Sequence, residues 1–243
     1  MMNRILVTLL FSNFILFASA QNAPNNFFPK EKLVLDVSGK RQKELKRRDH
    51  LLTKEHTTKQ EKKELDTLLQ KGDETVESVW DIIPGGCSWY CSGGNYEIKA
   101  SSSLPNANGI NYSAKSANDL SYATAWVEGR EDEGIGEYLE YYFENQSPRV
   151  TKIIVSNGYV KSEAAWKNNN RVKRLKFYVN GKPYGFLNLS DTRDDQVFDI
   201  GTFGRNKNGK DLIFRFEILE VYKGDKYNDT AITEIYFDGI DDH

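Results

Sequence analysis

The sequence predicts a mostly β protein, a sandwich or jelly roll of about eight strands preceded by a short helical segment. Three observations carry that expectation. Aromatic side chains are abundant, with thirteen Tyr and thirteen Phe among 243 residues, and they suit the pleated, half-buried surface of a sheet. From residue 95 onward, runs of alternating polarity recur at short intervals. Between those runs stand turn signals, among them Asn145-Gln-Ser-Pro148 and Asn180-Gly181.

The first twenty residues stand apart from that pattern. Arg4 is followed by a mostly apolar run over 5–17 and by Ala18-Ser19-Ala20, a small-x-small cleavage signature. The apolar run is shorter than the roughly 20 residues of a spanning helix, so a signal peptide cleaved after Ala20 is expected. That places the mature chain in a secreted or periplasmic setting. Residues 21–39, rich in Asn and Pro at the start, read as a flexible N-terminal segment.

Residues 40–63 carry ten Lys or Arg and four Asp or Glu, a net of +6 in a chain of net charge −2. Leu45 and Leu52 lie one heptad apart, and Leu65, Leu68 and Leu69 form a second apolar stripe before Gly72, a C-cap residue. One or two amphipathic helices over 40–72 follow, read as a basic, solvated spacer rather than a polyanion-binding arm. The near-neutral whole-chain charge suggests no partner among nucleic acids, and no membrane insertion is expected.

Residues 79–94 open the sandwich. Glycine pairs flank Cys87 and Cys91, and in an exported chain these two cysteines are expected to close a small disulfide loop. Trp89 and Tyr90 between them are expected to plug the sheet. Strands follow over 96–101, 137–143, 150–155, 172–179, 184–189, 196–200, 212–222 and 232–237. In the longest, Phe214, Phe216 and Ile218 share one face and then Leu219 and Val221 take the opposite phase, which places a bulge near Ile218 and Leu219.

If strand direction alternates, loops 118–136, 157–171, 190–195 and 223–231 gather at one end. That end holds Glu128, Tyr159, Trp166, Asn170, Arg171 and Tyr227, a mixture of planar rings with amide and charged groups. Rings stack on the C–H faces of sugars and polar groups pair with hydroxyls, so these six are the candidate ligand-binding residues. Trp126, also there, is expected in the core.

The segments T-A-W-V-E-G, G-I-G-E-Y, I-V-S-N-G-Y, N-N-R-V-K-R-L-K-F-Y-V-N-G, V-Y-K-G-D-K-Y-N-D-T and I-T-E-I-Y-F, in that order, resemble the discoidin-like family (F5/8 type C, galactose-binding-like). The closest resemblance is to the glycan-binding type found beside bacterial NAD glycohydrolases. It spans residues 79–239 and implies a jelly roll with a carbohydrate-binding or adhesion role and a glycan or glycoconjugate as partner. The resemblance also implies a structural calcium ion at Asp119 and Glu234, although Leu120-Ser121 replace the Gly-Asp that would supply another carboxylate. No other cofactor is expected. With histidine only at positions 50, 56 and 243, no Ser-His-Asp or Cys-His site fits inside the sandwich, so no catalytic residues are expected. The alternatives are a protein–protein adhesion module on the same loops, or an accessory to a glycan- or NAD-directed hydrolase.

Overall fold

The computed structural model describes residues 24–71, 76–83 and 88–240. The expected signal peptide, Gly72 and Cys87 therefore lie outside the described residues, and with Cys87 the expected bridge to Cys91.

The described residues begin with two short strands, β1 (Asn25–Phe27) and β2 (Glu31–Leu33), where a flexible segment was expected. The difference is tertiary. Three residues of each have no amphipathic signal of their own, and both form by completing the edges of sheets made much later in the chain. Then come helices α1 (Gly39–Thr53) and α2 (Lys59–Gln70). Ser38 caps α1 by accepting from the Arg41 amide, and Thr58 with Glu61 forms a reciprocal capping box on α2. The helices are bound to each other by Arg47 to Glu64, at 3.0 and 2.8 Å, and by Lys71 to Glu44 at 2.8 Å. The buried stripe of α1 is Leu45, Arg48 and Leu51, whereas Leu52 is 45% exposed. Its period is three residues rather than seven, because Arg48 turns inward to the Val76 carbonyl. Among the described residues no helix is long and apolar enough to cross a membrane.

The remaining strands are β3 (Glu97–Ala100), β4 (Trp126–Val127), β5 (Tyr138–Phe143), β6 (Arg149–Asn157), β7 (Asn170–Val179), β8 (Lys182–Asn188), β9 (Asp195–Phe203), β10 (Leu212–Tyr222) and β11 (Thr230–Ile240). A six-residue helix, α3 (Glu163–Asn168), precedes β7. One layer runs β2-β9-β6-β11, with β4 on β11. The other runs β1-β8-β7-β10-β5-β3. The layers are joined where β7 and β11 lie parallel for two residues, Asn170 beside Thr230 and Arg171 beside Ala231. This is the expected mostly β jelly roll. The three strands beyond the expected eight are the two N-terminal ones and the two-residue β4. The β10 register slips between Ile218 and Glu220 against β7, where the phase change in the sequence puts it.

Aromatic rings fill the space between the layers. Phe214 and Phe216 of β10 meet Phe177 of β7 at 5.0 and 5.2 Å, and Phe143 and Tyr141 of β5 meet Phe237 of β11 at 4.9 and 5.1 Å. Most of these contacts are edge-to-face, the arrangement ring quadrupoles favour. Trp126 is fully buried and donates its indole N–H to the Ser102 carbonyl at 2.9 Å. Trp89 closes the end of this core and donates to the Arg149 carbonyl, while the Tyr90 hydroxyl accepts the Phe237 amide at 2.9 Å.

Phe216 is about 1% exposed and packs on Phe177, Tyr141 and Phe214. Phe216→Ala should therefore cost about 3–5 kcal/mol, read as a lowered urea midpoint.

Candidate functional site

The loop end of the sandwich is organised from inside by two side chains at the joint of the layers. Asn170 is fully buried. Its Oδ1 accepts the Gly224 amide at 2.7 Å and its Nδ2 donates to the Asn228 carbonyl. Arg171, 7% exposed, grips Asp191 with two parallel bonds of 3.0 and 2.9 Å and donates to the carbonyls of Asn169 and Lys223. A two-pronged charge-assisted pair of this kind fixes both distance and plane. Loops 188–195, 223–229 and the end of α3 are thereby fastened to one another.

Glu128 has the same kind of role on the other side. It is fully buried and accepts the amides of Arg130 and Thr230 at 2.7 and 3.1 Å, and burial raises its pKa. Asn170, Arg171 and Glu128, expected to touch a ligand, instead spend their polar atoms on main-chain groups and, for Arg171, on the Asp191 carboxylate as well, and are buried. Trp166 is half-buried. It donates to the Asn157 carbonyl at 2.9 Å, and the Arg171 guanidinium lies 4.6 Å over its ring. The close approach of that pair requires Gly158, at φ +82°, since a Cβ there would stand 2.5 Å from Arg171 Cγ and 2.8 Å from the indole.

Two of the six expected residues, Tyr159 and Tyr227, do border open space. They share a cleft of about 370 Å³ with Tyr112, Asn168, Asn169 and Asp229. Leu104, Val127 and Ala165 supply its apolar surface. Tyr159 is a wall, 8% exposed. Tyr227 stands at the rim, 43% exposed, on a loop pinned when its amide donates to the Asn168 carbonyl at 2.8 Å. Asn169 commits its Nδ2 to the Ala165 carbonyl at 2.8 Å. The cleft thus combines three phenol rings with amide and carboxylate groups on loops held by the joint. The Asn168-Asn169 run was visible in the sequence at this end. Tyr112 and Asp229 carried no signal that separates them from ordinary loop residues.

Asp119 and Glu234 lie close enough to interact through their charges. The Leu120 amide, at φ +55°, donates to Glu234 Oε2 at 3.0 Å. Glu234 Oε1 is buried and has no hydrogen-bond partner among the described residues. The pKa of Glu234 is raised well above the glutamate range, by burial first and then by the charge of Asp119. Asp119, whose pKa burial also raises, accepts from the Thr124 hydroxyl at 2.9 and 2.7 Å. An unpartnered carboxylate oxygen beside a second carboxylate fits a hard cation in kind. No group of three or more His, Cys, Asp or Glu is placed to hold a metal among the described residues, so further ligands would have to be other oxygens.

The chain belongs to the family described as the NAD glycohydrolase translocation F5/8 type C domain, which matches residues 89–238. No curated protein matches the chain. Among solved structures it is similar to the CBM32-1 and CBM32-2 domains of Clostridium perfringens ZmpB in complex with GalNAc, at 16% identity and a TM-score of 0.44. That match covers 62% of this chain and 35% of the other. It is also similar to CBM32-3 from a family 31 glycoside hydrolase of Clostridium perfringens, at 14% identity and a TM-score of 0.41, covering 59% of this chain and 91% of the other. The chain therefore spans about a third of the length of the first of these structures.

A carboxyl whose folded pKa is raised contributes stability that is complete below its unfolded pKa and is lost as pH rises toward the folded value. Glu234 should impose that slope upward from the ordinary glutamate range. In chelator-containing buffer, the melting temperature of the wild type should fall as pH rises above the ordinary glutamate range, and Glu234→Gln should flatten part of that fall.

Proposed function

We propose that this protein is an exported, non-catalytic module that recognises a glycan in the cleft bounded by Tyr112, Tyr159 and Tyr227. The observation that carries this reading is the cleft's composition, with rings on its walls and Asn168, Asn169 and Asp229 among its polar lining. Sugars are bound by such mixtures, a flat ring under the C–H face and planar polar groups on the hydroxyls. Placement on loops over a rigid sandwich supports it, as does membership of the F5/8 type C family. Export is supported by the apolar start and the Ala18-Ser19-Ala20 signature. The lack of histidine within the jelly-roll sequence supports binding without turnover.

A glycan array probed with the mature protein tests this. Tyr227→Ala should weaken retention of the bound sugars by about fivefold or more, the equivalent of about 1 kcal/mol for a lost aromatic contact, without lowering the melting temperature. Arg171→Ala should instead lower the melting temperature, because it leaves Asp191 and two carbonyls without their donor. Turnover of a retained sugar would overturn the non-catalytic reading, and an array without binding would favour protein adhesion on the same loops.

Asp119 and Glu234 are proposed to hold a calcium ion, which would neutralise two partly desolvated carboxylates and tie the 119–124 loop to β11. Millimolar calcium should then raise the melting temperature by mass action, and Glu234→Gln should abolish the rise. An unshifted wild type would exclude the ion.

A further inference from the structure

The N-terminal segment builds a second concavity, on the flank of the sandwich and away from the tyrosine cleft. Between β1 and β2 the chain turns through Phe28 and Pro29, and this corner overhangs a groove of about 460 Å³. The opposite side is formed by Lys173 and Arg174 of β7 and by Tyr222 of β10, with Asn188 and Asp191 at the end of β8 and beyond it.

Phe28 is 64% exposed, yet it is not on a loose end. The residues before it pair with β8, Phe27 beside Leu187, and the Lys30 amide after it donates to the Val197 carbonyl at 2.8 Å. Asn188 Nδ2 donates to the Phe27 carbonyl at 3.1 Å, which leaves its side-chain oxygen to face other donors. The ring is thus held out to solvent by backbone fastened on both sides, a geometry that would lose little conformational entropy on receiving a ligand.

The charges that line the groove sum to zero, Lys173 and Arg174 against Glu220 and Asp191. Lys173 pairs with Glu220 at 2.9 Å, Arg174 approaches Glu220 at 3.7 Å, and Asp191 is held by Arg171. A charged ligand would have to break these pairs, whereas a neutral one can use their remaining hydrogen-bonding capacity. The geometry points to a second carbohydrate subsite here, taking a neutral sugar stacked on Phe28 and hydrogen-bonded to Asn188 and to the polar side chains of β7. This extends the glycan-binding reading, and it makes the module bivalent along a polysaccharide. Asp191 links the two places physically, since its carboxylate borders the groove while holding the Arg171 that orders the cleft.

The test uses an array of neutral oligosaccharides with galactose, glucose and N-acetylhexosamine termini, probed with the mature wild type, Phe28→Ala, Phe28→Trp, Tyr227→Ala and the double variant Phe28→Ala with Tyr227→Ala. Phe28→Ala should melt with the wild type and lose about fivefold or more in retention, while Phe28→Trp keeps it. Tyr227→Ala should leave residual binding that the double variant lacks. Unchanged retention by Phe28→Ala, alongside loss in Tyr227→Ala, would overturn the flank subsite and leave the cleft reading standing. Loss in Phe28→Ala with none in Tyr227→Ala would do the reverse. No retention of any neutral sugar by the wild type would overturn both.

Discussion

Two residues of parallel pairing hold the loop end of this protein together. Where β7 and β11 meet, Asn170 and Arg171 are side by side at the seam between the layers, and their side chains reach the three loop segments that would otherwise drift apart. The cost of burying a guanidinium is offset because Asp191 and two carbonyls receive its donors. Removing Asp191 from this arrangement would leave the buried guanidinium without its carboxylate, which typically costs several kcal/mol. The position of Tyr227 therefore depends on the buried Asn170 and the nearly buried Arg171, and the cleft is shaped from beneath.

The same residue types act differently on the two faces of the second layer. Inward, the rings of Tyr141, Phe143, Phe177, Phe214 and Phe216 meet largely edge-to-face and exclude water. Outward, rings are covered by cations. Arg215 lies 4.1 Å over Tyr138 and 5.9 Å from Tyr178, Arg174 lies 4.1 Å over Phe186, and Lys99 lies 4.5 Å over Tyr142. Each contact gives a half-buried ring a polar roof, so a sheet rich in aromatics can face solvent without a continuous apolar patch.

The jelly roll was legible because strands such as β5 and the first part of β10 alternate. Leu139, Tyr141 and Phe143 point inward while Glu140 and Tyr142 point outward, and the β10 bulge showed itself as a change of phase. The loop end was legible as a place, through strand alternation, but not as a division of labour. Asn170, Arg171 and Glu128 have the residue types of a binding site and serve as internal fasteners, a distinction that depends on which way three loops fold over them. The N-terminal strands were invisible for another reason. Three residues paired to a distant edge leave no periodicity, and the Asn and Pro around them read as loop.

Those strands also impose an order on the birth of the fold. Phe27 and its hydrogen-bonded neighbour Asn188 are 161 positions apart, and β2 needs β9, which is completed later still. Synthesis from the N-terminus makes this segment before the strands it joins, so it has no edge to pair with until nearly the whole sandwich exists. Contacts of such long sequence separation pay their loop-closure entropy late. The first-made part of the jelly roll is thus the last to close, and until it does the β8 and β9 edges stand open to strands of other molecules.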